Sequence, residues 1–518
     1  MMRDRNAIID EIRNRHKYDV IVIGGGASGI GAAVESCLRG YSTLLLEKHD
    51  FTKGTSSKST KLIHGGVRYM AQGDLKMVRE ALRERGYLLK NAPHIVHDQP
   101  FIIPNYRWWE GVFYTIGLKF YDLLAGKFSL GKSVHLGKKE VLQQLPGISP
   151  RKLRGGVLYH DGQFDDSRLA MDLLHVLNNN GGSALNYAEV MALEKEDDKV
   201  TGVVFRDNHA NKQYAVRASV VLNATGVWVD DIMKMDQPGH RKTIRPSQGV
   251  HLVLKKEFLP GAHALMIPKT SDGRVLFAVP WHDHLVVGTT DTPINTSSAE
   301  PVALEEEIRF ILDTASAYLE RKVERSDVLS VFAGLRPLAA PKDNSSKTKE
   351  ISRNHKIIVS KSRLITIIGG KWTTYRKMAE DMINMAISTG LLPPSVGNTK
   401  EFPVMKSPAA EGPYRLYGEN GMEIAALAEQ DTRKKALIHP DLPYSWAEVE
   451  WICKNEMVLH LEDLLARRLR ALLLNARATS EIAEEVAERS APWLGWTPEQ
   501  AAAETVAFRK LSESYILN

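Results

Sequence analysis

The chain has 518 residues, of which 43% are hydrophobic and 25% are charged, as in an ordinary globular protein. This length exceeds what a single hydrophobic core usually organises, so we expect two or three domains. The net charge of +6 is small for such a length and favours anionic small molecules or lipid head groups. Because the sequence contains no nucleic-acid-binding motif, we expect no nucleic-acid partner.

The cysteines and the hydropathy of the chain indicate which kinds of site and which cellular location to expect. Cys37 and Cys453 are the only cysteines, so no pair has the spacing of a redox or metal site. We therefore expect no metal and a reducing, cytoplasmic location. Residues 1–17 are charged and lack the apolar centre of a signal peptide. The most apolar segment, 108–125, is interrupted by charges and falls short of the ~18 apolar residues of a membrane span.

The first predicted elements are a strand, a tight turn and a helix over residues 18–33. An apolar run ends at Gly24, the pattern Gly24-x-Gly26-x-x-Gly29 follows, and an apolar-periodic helix begins at once. Such glycines let the backbone approach a pyrophosphate, which the helix dipole and free N–H groups stabilise. A second strand ends at Glu47, 23 positions after Gly24, close to the ~20 typical of a ribose-binding carboxylate. The sequence therefore predicts an adenine dinucleotide site.

The middle of the chain alternates between helices and strands. Asp74 is the expected N-cap of a helix that ends near Pro93. Beyond a segment rich in proline and aromatic residues, the pattern predicts a helix over 167–180, paired strands over 188–206, a buried strand over 218–226 and an antiparallel sheet over 243–295.

The last third of the chain returns to the nucleotide-binding pattern and then becomes helical. The expected elements are a helix over 305–319, strands over 357–359 and 364–368, a long helix that opens at Gly369 and continues through Met385, and a central helix over 461–474 in a charged, helical C-terminal region.

These elements define an α/β fold class. We expect a Rossmann-like dinucleotide-binding domain, an inserted and mainly antiparallel β substrate domain, and an all-α C-terminal domain. The expected boundaries are 1–90, 168–245 and 345–395 for the discontinuous dinucleotide-binding domain, 91–167 and 246–344 for the substrate or cap domain, and 400–518 for the helical domain.

The nature of the dinucleotide is decided by absences in the sequence. FAD and NAD share this fold, so the opening motif alone does not choose between them. The chain has no second Gly-x-Gly-x-x-Gly at a strand–helix junction and no Cys-x-x-Cys pair that could pass electrons. One dinucleotide site in a chain with an inserted sheet favours a flavin that the substrate reduces directly.

Four motifs carry a resemblance to a known family. They are the Thr-Ser-Ser-Lys-Ser-Thr-Lys-Leu-Ile-His-Gly-Gly-Val-Arg-Tyr stretch at 55–69, Asn-Ala-Thr-Gly-Val-Trp at 223–228, Gly-Leu-Arg-Pro at 334–337 and the Gly-Gly-Lys-Trp-Thr-Thr-Tyr-Arg stretch that begins at 369. On these motifs, in this order, the chain resembles the FAD-dependent glycerol-3-phosphate dehydrogenases, within the wider D-amino-acid-oxidase-like flavoprotein superfamily. The resemblance covers nearly the whole chain.

The resemblance implies FAD as the cofactor and assigns residues to it. The dinucleotide motif and segments 55–66, 224–226 and 369–373 would surround the ADP half, the ribityl chain and the flavin ring. Lys58 departs from the family pattern, because small residues are common at that position. The implied cofactor residues are Gly24, Gly26, Gly29, Glu47, Lys48, Thr55, Ser56, Ser57, Lys61, Leu62, His64, Gly65, Ala224, Gly226, Gly369, Gly370 and Thr373.

The resemblance also implies a substrate, sn-glycerol 3-phosphate, and a reaction. Hydride would move to N5 of FAD, and dihydroxyacetone phosphate would be released. Cationic side chains suit the phosphate, since Arg offers a planar donor fork and Lys a point charge. The implied substrate residues are Arg68, Tyr69, Arg336, Lys371 and, matched less securely, Arg353; the implied catalytic residues are His251, as the preferred base, with Arg336 and Lys371.

The resemblance also implies that the electrons pass from the flavin to a membrane quinone. We therefore expect peripheral attachment at the inner face of the cytoplasmic membrane, through segment 108–125 or the basic segment 467–470. We also expect that the protein can form a homodimer.

Three alternatives stay open at this point. An oxidase of the same family would pass electrons to oxygen, although the oxidases tend to carry an insertion for which 518 residues leave little room. An amino-acid or 2-hydroxy-acid oxidoreductase would need a carboxylate clamp instead of a phosphate site. A flavin-binding interaction protein without turnover would not need the cations in the matched motifs.

Overall fold

The computed structural model describes residues 2–15, 17–67, 70, 73–270, 273–340, 355–405 and 412–517. Its strands are β1 (Tyr18–Ile23), β2 (Thr43–Leu46), β3 (Leu62–Ile63), β4 (His97–Asn105), β5 (Val134–Gly137), β6 (Gly155–Gln163), β7 (Ser183–Leu185), β8 (Ala188–Glu196), β9 (Lys199–Asp207), β10 (Lys212–Asn223), β11 (Ile244–Lys255), β12 (Ala264–Ile267), β13 (Leu276–Trp281), β14 (His284–Gly288), β15 (Thr292–Pro293), β16 (Val328–Ala339), β17 (Lys356–Val359) and β18 (Ile365–Ile368).

The α-helices connect these strands and fill the C-terminal region. They are α1 (Arg5–Asn14), α2 (Ala27–Leu38), α3 (Leu75–Asn91), α4 (Glu110–Ala125), α5 (Lys138–Gln144), α6 (Asp166–Asn179), α7 (Val229–Asp236), α8 (Glu305–Tyr318), α9 (Tyr375–Ser388), α10 (Gly421–Gln430), α11 (Thr432–Lys435), α12 (Trp446–Asn455), α13 (Ala471–Leu474), α14 (Ala476–Glu481), α15 (Ala483–Leu494) and α16 (Pro498–Glu513).

The first sheet contains the parallel strands expected of a Rossmann-like domain. Its strand order is β17-β18-β10-β1-β2-β7, and β9 and β8 extend it from β10. β1 runs parallel to both of its neighbours, β10 and β2. Alternate β1 residues face opposite cores, because Val20 and Val22 pack with α2, α6 and α9, whereas Ile21 and Ile23 pack with α1. Burial on both faces explains why β1 reads as a continuous apolar run.

The second sheet is mainly antiparallel, as expected for the inserted region. Its order is β15-β11-β14-β13-β12-β4-β6-β3, with β16 on β11 and β5 on β6. Between the described strands, the parallel pair is β4 with β12. The sheet takes its strands from chain segments that lie between segments of the first sheet, so the two sheets are interwoven in sequence. The expected domain boundaries themselves stay predictions.

The C-terminal region is helical and has its own core. Trp451, Leu464 and Leu472 lie in a buried cluster with α15 and α16. The two sheets and this helical region together confirm the predicted fold class.

The expected helix over 461–474 is interrupted in the structure, which corrects the prediction. Asp463–Arg468 is a π-helix, Arg470 adopts a left-handed φ of 61°, and α13 begins only at Ala471. The irregular backbone directs three arginines to buried carboxylates. Arg467 and Arg468 pair with Asp50 at 2.5 Å and 2.6 Å, and Arg470 pairs with Asp165 at 2.8 Å. The basic segment 467–470 is therefore buried and is not a basic surface, contrary to our expectation.

Helix α4, within segment 108–125, presents an apolar face to solvent. Leu118 and Tyr121 pack inward, but Trp108 is 80% exposed and Leu123 is 73% exposed. Further exposed apolar residues of the segment are Trp109, Val112, Phe113, Ile116 and Phe120. Among the described residues, no helix combines the length and the apolar character that crossing a bilayer requires.

Candidate active site

A cavity of about 470 Å³ is lined by residues from both sheets. The first sheet contributes the carboxyl ends of β1 and β2 and the turn that follows β10, and the second sheet contributes β11, β12, β13 and β16. Segments 52–67 and 369–373 close the remaining sides. This is where open α/β sheets bind their ligands, at the carboxyl ends of parallel strands.

The glycine turn after β1 brings the backbone close to the cavity. Gly24 has a φ of 109°, and a Cβ there would lie 2.7 Å from the Ala224 carbonyl oxygen, so no larger residue fits. Gly26 is the N-cap of α2 and supplies no side-chain cap, so the N-terminus of α2 opens toward the cavity that Gly26 lines. This geometry suits an anionic phosphate.

Gly29, which was expected to contact the cofactor, lies outside the cavity lining. A Cβ at Gly29 would collide with the Gly24 carbonyl oxygen. Its role in the fold is therefore to allow close packing of α2 on β1, which indirectly positions the glycine turn.

Glu47, at the end of β2, lines the cavity with its carboxylate held by backbone donors. The N–H groups of Gly25 and His49 donate to it at 2.5 Å and 2.8 Å. Burial raises the pKa of Glu47, although these two N–H groups oppose the shift. The carboxylate thus fixes the glycine turn and faces the space that a ribose would occupy.

The segment 52–67 forms one wall of the cavity. The Ser56 hydroxyl accepts a hydrogen bond of 2.9 Å from the Ala27 N–H, and the Thr55 hydroxyl donates to the Leu335 carbonyl oxygen. The indole N–H of Trp372 donates to the Ser56 carbonyl oxygen at 2.8 Å. The predicted residues Lys48, Thr55, Ser56, Leu62 and His64 line the cavity.

Three residues predicted for the cofactor, Ser57, Lys61 and Gly65, do not line the cavity. Lys61 is fully buried and its ammonium group pairs with Asp166 at 2.8 Å and donates to the Ser57 carbonyl oxygen at 2.7 Å. Gly65 packs against Tyr121, whose hydroxyl accepts from the Gly65 N–H at 2.9 Å. Because a buried ammonium needs a carboxylate partner, Lys61 anchors the segment from beneath.

A second wall comes from the turn after β10 and from the segment before α9. The predicted residues Ala224, Gly226, Gly369, Gly370 and Thr373 all line the cavity. Gly369 and Gly370 have φ of 73° and 95°, which accounts for two glycines in succession. The Thr373 hydroxyl accepts from the His64 N–H at 3.3 Å and so joins the two walls.

Arg336 and Lys371, the two cations predicted both to bind substrate and to act in catalysis, line this cavity. Arg336, on β16, donates to the Gln248 carbonyl oxygen at 3.3 Å and to the Thr289 hydroxyl at 3.1 Å. Lys371 lies in the segment before α9, with its ammonium nitrogen 3.9 Å from the Met77 sulfur. Both side chains are only partly buried, so both can reach a ligand in the cavity.

His251, on β11, also lines the cavity and is almost completely buried. Its Nε2 lies 2.9 Å from the Thr60 hydroxyl, and its ring stacks on Phe332 at a centroid distance of 4.9 Å. Among the described residues, Nδ1 has no hydrogen-bond partner. Burial, and then the charges of Arg336 and Lys61, hold the pKa of His251 well below its ordinary value, so the ring is neutral near pH 7.

The cavity also contains cations that sequence reasoning did not assign. Lys58 is buried and pairs with Glu300 at 2.6 Å, and Arg274 lies over the Phe310 ring at 5.0 Å. The departure at Lys58 from the resembled pattern was a usable signal, whereas Arg274 stands in no motif. The predicted substrate residues Arg68, Tyr69 and Arg353 lie outside the described residues.

The geometry fits FAD on grounds internal to the chain. The glycine turn and α2 N-terminus offer donors for a pyrophosphate, and Glu47 offers an acceptor for a ribose. The cavity then continues to a second glycine pair, Gly369 and Gly370, beside the cations. One dinucleotide with its redox ring near Arg336 and Lys371 accounts for all of these features.

Comparison with known proteins agrees with this geometry. A family model described as "FAD dependent oxidoreductase" matches residues 19–376, and a model described as "C-terminal domain of alpha-glycerophosphate oxidase" matches residues 360–501. The mitochondrial glycerol-3-phosphate dehydrogenase of Bos taurus is 38% identical and covers 98% of this chain and 74% of its own. The enzyme of that name from Arabidopsis thaliana is 37% identical and covers 96% and 86%.

Solved structures lead to the same group. The glycerol-3-phosphate dehydrogenase from Bacillus halodurans, complexed with FAD, has a TM-score of 0.79 and 28% identity over 99% of this chain and 97% of its own. The L-alpha-glycerophosphate oxidase from Mycoplasma pneumoniae, at 17% identity and a TM-score of 0.58 over 75% of this chain and 98% of its own, shares the fold. The chain therefore belongs to the FAD-dependent glycerol-3-phosphate dehydrogenase family, and its cofactor is FAD.

Proposed function

We propose that the protein oxidises sn-glycerol 3-phosphate to dihydroxyacetone phosphate and passes the electrons to a membrane quinone. The observation that carries the proposal is that Arg336 and Lys371 line the same cavity as the dinucleotide-binding glycine turn. The names of the relatives support the substrate, since the Bos taurus and Arabidopsis thaliana proteins are called glycerol-3-phosphate dehydrogenases.

The cofactor would be held by the backbone at two places. The N–H groups at the start of α2, beside Gly24 and Gly26, would bind the pyrophosphate, and Glu47 would accept from a ribose hydroxyl. Gly369 and Gly370 would bring N–H groups to the flavin ring. When bound, FAD supplies at N5 the acceptor for the hydride that leaves the secondary alcohol carbon.

The phosphate of the substrate would be bound by Arg336 and Lys371. The contacts of Arg336 with Gln248 and Thr289 fix the plane of its guanidinium group, which leaves the fork oriented before the substrate arrives. Lys371 would add a second positive charge from the segment before α9. By the family resemblance, Arg68, Tyr69 and Arg353 would complete this substrate site.

We assign the removal of the hydroxyl proton to His251. Its neutral ring can accept a proton, and its buried Nδ1 is a polar atom in need of a partner. The phosphate dianion bound at Arg336 would offset the guanidinium charge that disfavours a protonated His251. Substrate binding would thereby raise the basicity of His251 when the hydroxyl group is in place.

Anaerobic titration of the purified, flavin-loaded protein tests the proposed substrate. Glycerol 3-phosphate should bleach the flavin absorbance stoichiometrically, whereas amino acids and 2-hydroxy acids should not. Bleaching by either of those classes, and not by glycerol 3-phosphate, would show that the phosphate site is misassigned. Bleaching by none of the compounds would favour an interaction protein without turnover.

A second measurement tests the electron acceptor. Oxygen consumption with glycerol 3-phosphate should be slow, and a soluble quinone analogue should raise the rate of substrate oxidation several-fold. Rapid oxygen consumption and peroxide formation without the quinone would identify an oxidase instead.

The proposed quinone acceptor requires contact with a membrane surface. The apolar outer face of α4 and the residues just before it is suited to lie in the interfacial layer, with Trp108 and Leu123 in contact with lipid. Attachment would be peripheral, at the inner face of the cytoplasmic membrane. Assembly as a homodimer stays a prediction.

A further inference from the structure

A groove of about 580 Å³ lies on the surface between α3 and α9. Its remaining walls come from Leu124, near the end of α4, and from Lys400. Among the described residues, none lines both this groove and the flavin cavity. The groove is therefore a separate concavity, of a volume typical of small-molecule sites.

One wall of the groove is a row of cations on α3. Lys76, Arg79 and Arg83 are spaced by three and four residues, so they lie on one face of the helix. All three are exposed, and within the described parts of the chain they form no ion pair. Like charges three and four residues apart on one helical face repel one another. Such a row is accounted for if it serves an anionic ligand.

Two of the three acidic side chains of the groove are engaged by cations. Glu84 accepts two hydrogen bonds from Arg376, at 2.7 Å and 2.8 Å. Glu380 pairs with Lys400 at 3.1 Å and with Arg376 at 3.4 Å. The third carboxylate of the lining is Glu80, on α3. Six cationic and three anionic side chains thus line the groove. Arg376, Lys377 and Lys400 are paired with carboxylates, so the cations left to face an occupant are the row on α3.

The groove also has an apolar part. Leu75, Tyr87 and Leu124 contribute to its lining. Inorganic anions gain nothing from such a surface, whereas a phosphate ester can place its anionic group on the arginines and its organic part on these side chains. Arginine forks match the oxygen geometry of phosphate groups.

We propose that this groove is a binding site for an organic phosphate, distinct from the substrate site of the flavin cavity. The phosphate oxygens contact Arg79 and Arg83, with Lys76 beside them on the same face of α3. This chemistry has two sources: the head group of an anionic phospholipid, which Leu124 of α4 would place near the proposed membrane surface, or a free phosphate ester in solution.

Calorimetric titration of the flavin-loaded full chain tests the proposal. The probes are inorganic phosphate, glycerol 2-phosphate and dihexanoylphosphatidylglycerol below its micellar concentration. A double variant Arg79→Gln/Arg83→Gln should weaken one binding event at least tenfold. Its Michaelis constant for glycerol 3-phosphate should stay within twofold of the wild-type value, which separates the groove from the substrate site. The matched control is Lys90→Gln/Lys132→Gln, which removes the same charge from exposed residues outside the groove.

The arms of the experiment distinguish the two sources. If Arg79→Gln/Arg83→Gln weakens binding only of the phosphatidylglycerol probe and of vesicles that contain phosphatidylglycerol, the ligand is a lipid head group. Loss of binding for glycerol 2-phosphate as well identifies a site for free phosphate esters. Equal weakening in both double variants, or no weakening in either, overturns the proposal, because the effect would then follow net charge or be absent.

Discussion

Arg336 is the side chain on which the proposed substrate binding depends most directly. Replacing it by alanine removes the planar fork from the cavity, and each hydrogen bond to a charged group contributes about 1.5–3 kcal/mol. We expect kcat/KM for glycerol 3-phosphate to fall by on the order of 100-fold, while the yellow flavin stays bound. Steady-state kinetics of Arg336→Ala check this, with Arg321→Ala, an exposed surface arginine, as control. Unchanged kinetic constants would remove Arg336 from the site.

The depressed pKa of His251 gives a pH signature. The ring is neutral above its own pKa, which lies well below the ordinary value of 6.5, so the proposed base stays active as the pH falls through 6.5. We expect kcat/KM to stay nearly constant from pH 7.5 to 6, where an ordinary histidine would already lose more than half of its basic form. In His251→Gln the loss should be about 10²–10⁴-fold at every pH. Full activity of this variant would assign the base elsewhere.

For single residues, the sequence predicted which motif a side chain belongs to better than it predicted what that side chain contacts. Lys61 and Lys371 both stand in motifs that resemble the family, and both were expected to reach a ligand. Only Lys371 lines the cavity, because the Lys61 side chain turns to the buried Asp166, which lies 105 positions further along the chain. A partner so distant in sequence leaves no local pattern, and the same is true of Arg274 with Phe310.

At the scale of single elements, the exposed apolar face of α4 predicts that this helix contributes to membrane binding. Val112, Ile116 and Leu123 are 62%, 66% and 73% exposed, and burial of each in lipid would contribute up to about 1.5–3 kcal/mol. The triple serine variant should therefore sediment with vesicles at least 100-fold more weakly than the wild-type protein. The control replaces Val396, Met422 and Val506, which are similarly exposed elsewhere, by serine. Equal losses in the two triple variants would show that α4 has no special role.

For the two candidate membrane segments, the periodicity of the sequence did not predict whether the segment is exposed or buried. Segments 108–125 and 467–470 both have a pattern that fits a surface, a core or an interface. Packing decided between these readings in opposite ways, because α4 leaves its apolar face exposed, whereas carboxylates from distant segments hold the arginines inside. The break at Arg470 follows from the same contacts, which helix propensity does not encode.

At the scale of the whole molecule, Asp50 joins the first sheet to the C-terminal region. It accepts hydrogen bonds from Arg467 at 2.5 Å and from Arg468 at 2.6 Å and 2.9 Å, and all three residues are buried. Asp50→Asn would remove the charge partner of the buried Arg468, whereas Arg467 would keep its pairs with Glu462 and Asp463. We expect the free energy of unfolding to fall by about 3–5 kcal/mol. Urea unfolding measures this. Asp10→Asn, which breaks an exposed pair with Arg13, should change it by less than about 1 kcal/mol.

The buried contacts of Asp50 with Arg467 and Arg468 also determine how the stability of the protein changes with pH. Burial opposes ionisation of Asp50, but Arg468 and Arg467 together hold its pKa below the ordinary value. The stabilisation is therefore complete above the unfolded-state pKa of about 3.9 and is lost as the pH falls below it. In Asp50→Asn this part of the acid sensitivity should disappear. An unaltered pH profile of unfolding would contradict the assignment.

The overall architecture was more predictable from the sequence than the contacts between distant segments, such as those of Asp50 with Arg467 and Arg468. Strand–turn–helix patterns recur along the chain and each is local, so the fold class followed from periodicity and turn residues. The joining of distant segments did not follow, since register and domain packing depend on side chains hundreds of positions apart.

The wall formed by residues 369–373 has a consequence for biosynthesis. These residues reach the cavity from strand β18, which pairs with β10 beside the strand that opens the glycine turn. A nascent chain emerging from the ribosome exposes that turn hundreds of residues before the wall exists. We therefore expect stable capture of the flavin to be a late event, and ribosome-bound chains that end before residue 369 should carry no bound flavin.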